Sequence, residues 1–323
     1  MFTDMNLIGK LQPVIIILSA IVGLALGILT PFGNVSASLI EPFLMLLLYV
    51  LFLCVDLKKI GESFRNIRYT GTAVLINFVL TPVIAYLLGI IFFKDSLDIR
   101  IGLLMLLVTP CTDWYLVFTG LAKGNVELNM SILPLNLLLQ IVLLPVYILL
   151  FMHSEVQMNV VSLVMSIVLV LVIPFAASAV TKLFISKKEK IKTFISDQSD
   201  NLQLIFLCLA VICMFASEGE NLLDNPWLMA RMFIPLICFF ITAFVAAQVL
   251  GRLQKFSKKD IVALNMTTLA RNSPLSLAIA VATFPDKPLI SLALVIGPLI
   301  ELPVLSVFSD ALKKWNTLEH ESI

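Results

Sequence analysis

A chain of 323 residues that is 60% hydrophobic and only 13% charged is not built like an ordinary soluble domain, which carries roughly 25% charged residues. Its apolar residues come in runs of about 20, the length that crosses a bilayer, and no stretch is long enough for a separate soluble domain. The net charge of +1 is uninformative about partners because the charges are segregated by loop, and no nucleic-acid partner is expected.

Taken in chain order, spans are expected at approximately 11–30, 38–57, 70–93, 100–122, 128–152, 159–181, 200–217, 227–251, 259–283 and 288–311. The first, from about Leu11 to Thr30, lacks a small-residue cleavage site and reads as a retained span rather than a signal peptide. Lys58, Lys59, Arg65 and Arg68 follow the second span. Lys182, Lys187, Lys188, Lys190 and Lys192 follow the sixth, and Arg252, Lys255, Lys258 and Lys259 follow the eighth. The loop from Met152 to Met158 has no Lys or Arg, and Ala216 to Asp224 is purely acidic. Short cytoplasmic loops carry the excess of Lys and Arg, so the basic loops and both termini are expected in the cytoplasm, around a multi-pass protein of the cell membrane. The basic run Lys182 to Lys192 reads first as a topology anchor and linker, with anionic lipid as a lesser partner.

Cutting at that linker leaves five spans on each side. Residues 1–186 then hold the first repeat (spans one to five), the sixth span and the start of the linker. Residues 187–323 hold the linker and the remainder of the second repeat (spans seven to ten). In the fourth span Thr109-Pro110-Cys111-Thr112-Asp113 interrupts the apolar run, and in the ninth Arg271-Asn272-Ser273-Pro274 does the same. Leu144-Pro145-Val146 follows the first break and Leu302-Pro303-Val304 the second, at similar separations. An odd number of spans per half puts the halves in opposite orientations. The expected fold is therefore an all-α membrane protein of ten helices, arranged as two inverted five-helix repeats with crossed, broken helices four and nine. Helix breaks at membrane depth survive only where protein or a water-filled cavity surrounds them, and paired breaks in corresponding places point to a transporter's binding site.

The candidate site residues are Cys111, Thr112, Asp113, Arg271, Asn272, Ser273, Glu301 and Asn136. A charge at the centre of a lipid-facing helix costs about 2.5–3.5 kcal/mol or more, so Asp113, Arg271 and Glu301 should face the protein interior. Arg271 would close the first half of the ninth span, where the helix dipole is negative, and Asp113 would open the second half of the fourth. The two are natural partners if the breaks cross. Pro274 suits the first turn of a half-helix capped by Asn272 or Ser273. Cys111 differs from Cys54, Cys208, Cys213 and Cys238 by its polar neighbours, and a thiol there could bind a soft metalloid or metal. A buried carboxylate at Glu301, between Pro298 and Pro303, could take up and release a proton. Asn136 and Gln140 share a helix face, as cavity lining or as interhelical polar glue. All five cysteines lie in apolar segments, which argues against a disulfide framework. No cofactor, metal cluster or catalytic constellation is expected, and nothing favours an enzyme.

Pro110-Cys111-Thr112, Leu121-Ala122-Lys123-Gly124-Asn125, Asn272, Leu277-Ala278-Ile279-Ala280-Val281-Ala282 and Gly297-Pro298-Leu299-Ile300-Glu301-Leu302-Pro303-Val304 carry a resemblance. With these motifs the chain resembles the bile acid/sodium symporter superfamily and, within it, the arsenite efflux permeases. The resemblance implies export of trivalent arsenic or antimony against proton entry, with Cys111 and Glu301 tied to metalloid transport. The sequence departs from the permeases at Asp113-Trp114-Tyr115, at Arg271 and at Ser273-Pro274. In sodium-coupled relatives the crossing holds the cation, and a guanidinium fixed there would repel one. The second reading is an organic-anion or metabolite transporter of the same fold, with Arg271 as counter-charge.

Overall fold

A computed structural model of the chain describes residues 7–54, 61, 64–112, 114–152, 160–185, 189–224 and 226–317. The regular elements among the described residues are helices: α1 (Leu7–Leu29), α2 (Gly33–Cys54), α3 (Ile67–Leu75), α4 (Thr81–Phe92), α5 (Leu97–Leu107), α6 (Trp114–Leu121), α7 (Val126–Met152), α8 (Val160–Ile185), α9 (Glu189–Asp224), α10 (Pro226–Leu253), α11 (Lys258–Leu269), α12 (Ser273–Thr283) and α13 (Pro288–Thr317). Among the described residues, five helical segments are long and apolar enough to cross a membrane: Val35–Leu53, Phe64–Phe92, Val126–Phe151, Ala230–Leu253 and Pro288–Asn316. Val14–Leu29, Val172–Ile185, Asn201–Ser217 and Ser273–Thr283 are shorter apolar helices. Asp113, both termini, Lys187 and Lys188 lie outside the described residues.

The chain divides into two compact units. The first comprises residues 1–56, 158–229 and 274–295. Here α9 packs along both α1 and α2, and α8 packs on α2. Gly23 and Gly27, four residues apart, make the close approach possible. A Cβ at either would fall 2.4 Å from the carbonyl oxygen of Ile212 or 2.3 Å from that of Ala216. Lipid gives helices no hydrophobic reason to associate, so small residues that let backbones touch supply the packing. Tyr49 and Thr181 share a hydroxyl hydrogen bond at 2.9 Å between α2 and α8, and Phe52 meets Phe175 edge to face.

The second unit comprises residues 57–157, 230–273 and 296–323 and contains both breaks. Its α3 and α4 form one rod joined by a π turn, Ile76–Leu80. The cause is Pro82, which has no N–H to give Phe78 and whose ring would crowd that carbonyl in a regular helix. The Phe78 carbonyl accepts the Tyr147 hydroxyl instead, at 2.6 Å. Where the rod ends, Arg231 on α10 grips the Asp95 carboxylate with both terminal nitrogens, at 3.0 and 2.8 Å. Hydrogen bonding to Arg231 holds the Asp95 carboxyl below the usual carboxylate range.

The elements of this unit are tied by a buried polar hub on Asn129. The Tyr69 hydroxyl donates to Asn129 Oδ1 at 2.6 Å, and Asn129 Nδ2 donates to Thr119 Oγ1 and the Ala263 carbonyl. The Tyr115 hydroxyl donates to the Asn129 carbonyl at 2.8 Å. One amide thus joins α3, α6, α7 and α11, and every polar atom of its side chain has a partner, the condition under which a buried polar network stabilises rather than costs.

Candidate functional site

The fourth-span break begins where α5 stops at Leu107 and ends where α6 starts at Trp114. The ninth-span break begins where α11 stops at Leu269 and ends where α12 starts at Ser273. The breaks meet each other: Pro110 and Arg271 form a short antiparallel bridge. The Cys111 N–H donates to the Ala270 carbonyl at 3.0 Å and the Asn272 N–H to the Thr109 carbonyl at 2.7 Å. Proline at 110 suits this position, since it has no N–H that would need a partner.

A helix end leaves four carbonyls without intrahelical partners, and here two such ends are buried together. Six of the eight acceptors have a donor of their own, and the other two share one hydroxyl. On α5, the Leu104 carbonyl takes the Val108 N–H, and the Thr109 hydroxyl lies 3.0 Å from the Met105 carbonyl and 3.2 Å from that of Leu106. The Leu107 carbonyl takes Arg271 Nη1 at 2.8 Å. On α11, the Met266 carbonyl takes the Ala270 N–H and the Thr267 carbonyl takes Asn77 Nδ2 at 3.3 Å. The Thr268 and Leu269 carbonyls take Arg271 Nη2 and Nε.

Arg271 is the pivot of this arrangement. Its side chain is 1% exposed. Beyond the three carbonyls it donates from Nη2 to Asn77 Oδ1 at 3.1 Å, and the guanidinium carbon sits 5.2 Å from the centre of the Phe239 ring. One hydrogen from Nε, one from Nη1 and two from Nη2 are engaged, which is four of the five a guanidinium offers. Two negative helix ends converge on this one fixed cation, the favourable sense of the helix dipole. A planar fork reaches several carbonyls at once where a lysine ammonium would be a point charge.

Glu301 is brought to the same place. Its Oε1 accepts the Arg271 backbone N–H at 2.8 Å, which fixes the carboxyl beside the ninth-span break. Gly297, one turn earlier on α13, permits this approach: a Cβ there would fall 2.6 Å from a methyl of the buried Leu106. Asn136 joins through Nδ2, which donates to Thr267 Oγ1 at 3.3 Å.

The structure therefore gathers Cys111, Arg271, Asn272, Glu301 and Asn136 around the paired breaks, with Thr112 and Ser273 adjoining in the chain, all buried. Asp113 falls outside the described residues, and its pairing with Arg271 stays an expectation. Reading the sequence missed Asn77, Thr267 and Phe239. Asn77 had a visible signal, an amide in the apolar run Ala73 to Leu80, of the kind that drew attention to Asn136. Phe239 had none, because a phenylalanine inside an apolar span looks like any other.

A family model described as the Sodium Bile acid symporter family matches residues 41–225. The chain belongs to that family. It is a membrane transporter, as the family and the apolar helices require. It is 23% identical to an arsenical-resistance protein, Acr3, of Corynebacterium glutamicum, over 81% of this chain and 74% of that one. The arsenical-resistance protein Acr3 of Alkaliphilus metalliredigens is 25% identical over 88% of this chain and 86% of its own length. A Synechocystis protein described as an uncharacterized transporter is 24% identical over 96% of this family member and 89% of itself.

Proposed function

We propose that the chain exports trivalent arsenic, and antimony of the same form, from the cell against proton entry. The observation that carries this reading is Cys111, a buried thiol residue held in the paired breaks beside Ala270 and Arg271, in a chain similar to two arsenical-resistance proteins. Thiolate is the soft donor that a metalloid prefers. Glu301, buried at the same break, is the proton-coupling carboxylate in this reading. The frame is ten spans in two inverted repeats, 1–186 with the sixth span and 187–323, in the cell membrane with both termini cytoplasmic. Asp113 completes the charge balance of the crossing.

The organic-anion reading asks Arg271 to offer hydrogen bonds to a substrate, yet four of its five are engaged within the protein. That favours the metalloid. The same fixed guanidinium makes transport independent of sodium, because a cation held where two helix ends converge leaves no electrostatic reason for a mobile one. Cells sensitive to arsenite should accumulate less of it when they express the protein, and equally so in sodium, potassium or choline medium. Unchanged accumulation would remove arsenite as substrate, and steep sodium dependence would remove the role given to Arg271.

A further inference from the structure

We propose that Thr81, Asn136 and Gln140, with the outer oxygen of Glu301, form a subsite for the hydroxyl groups of a small uncharged trihydroxide. The proposal rests on the arsenite reading, since trivalent arsenic in neutral water is such a molecule. It adds a hydroxyl-binding subsite, three of whose four residues lie outside the motifs that carry the resemblance.

The register of three helices carries the argument. Along α7 the Asn125 N–H meets the Lys259 carbonyl, Asn129 Nδ2 the Ala263 carbonyl and Asn136 Nδ2 the Thr267 hydroxyl. Advancing on α7 thus climbs α11 towards its end, and Gln140, one turn past Asn136, arrives at the level of the break. The rod of α3 and α4 climbs in the same sense, with Tyr69 at the level of Asn129 and Asn77 at that of Thr267. Thr81 follows Asn77 by four residues and reaches that level too.

At this level five buried atoms have no hydrogen-bond partner among the described residues: Thr81 Oγ1, Asn136 Oδ1, Gln140 Nε2 and Oε1, and Glu301 Oε2. The carbonyls at the two helix ends, by contrast, have donors. Buried polar groups are costly without partners, and unmatched ones in a native protein call for an explanation. Their chemistry narrows the ligand. A hard cation could use the four oxygens but would leave the Gln140 N–H unmatched and would sit beside the Arg271 guanidinium. An anion would face the Glu301 carboxyl. A neutral hydroxide both donates and accepts, and so satisfies amide, hydroxyl and carboxyl together.

Boric acid is the probe, an uncharged trihydroxide without affinity for thiols. Equilibrium dialysis of the purified full chain should show boric acid competing with arsenite. Gln140→Leu and Thr81→Val should each weaken binding of both by about tenfold, the scale of one buried hydrogen bond. Thermal unfolding reports whether each variant is folded, and Thr81→Val, being isosteric, carries the test alone if Gln140→Leu is not. Arsenite binding at full strength in folded variants, with no competition by boric acid, would overturn the subsite and leave the arsenite reading standing. Boric acid binding that depends on Gln140 and Thr81, without any arsenite binding, would support the subsite and remove the metalloid reading. Binding of neither would overturn the subsite.

Discussion

Cys111 and Arg271 occupy neighbouring positions in the paired breaks but have different duties. Arg271 is spent on the protein itself: it matches the Leu107, Thr268 and Leu269 carbonyls. Its charge was legible in the sequence as an anomaly, and its place at the closing end of a half-helix followed from dipole electrostatics. That its fork would serve two helices was not legible, because the second helix arrives from about 160 residues away in the chain. For Cys111 the proposed role is chemical. Cys111→Ser keeps the size and removes the soft donor, so arsenite resistance should be abolished while expression persists. Cys54→Ser and Cys238→Ser should leave resistance intact. Growth on arsenite with membrane expression measured alongside checks this, and full resistance in Cys111→Ser would make the thiol a bystander.

Among elements, the Asn129 hub decides whether α3, α6, α7 and α11 hold together. Asn129→Leu would leave the buried Tyr69 hydroxyl without its acceptor, at about 1–3 kcal/mol for a buried group left unmatched. The variant should melt well below the parent in detergent, and an unchanged midpoint would show the hub to be idle. Helix identity was readable from apolar runs, and the two breaks from polar residues inside them. The hub was not, since Asn129 lies at the start of a span where an amide is unremarked. Gly23 and Gly27 were equally silent, because only the facing backbone of α9 gives a missing side chain its meaning.

For the whole molecule, the arrangement in the bilayer is the part that sequence charge argues best and side-chain geometry least. The excess of Lys and Arg after the second, sixth and eighth spans predicts a cytoplasmic location for the segment around Ser186. A cysteine introduced by Ser186→Cys should react with a membrane-impermeant maleimide only after the cells are opened. Strong labelling of intact cells would break the inverted-repeat arrangement and, with it, the correspondence between the two breaks. That correspondence came from short motifs, Leu144-Pro145-Val146 and Leu302-Pro303-Val304, whose prolines say where a helix bends but not what it bends around.

The π turn at Ile76–Leu80 amounts to one surplus residue in a rod that must present both of its halves to the same partners. A regular helix turns about 100° per residue and a π turn correspondingly less, so the five residues of the π turn sweep about the angle of four in an α-helix. Removing Val79, which is exposed, should therefore let the rod close into an unbroken α-helix without swinging either half. Tyr69 would keep its grip on Asn129 and Thr81 its place on the inner face, while Pro82 would then crowd the carbonyl of Asn77. The deletion variant should insert and transport, with a lowered thermal midpoint. A variant that folds but has lost transport would mean that the π turn itself, and not only the register it preserves, serves the site.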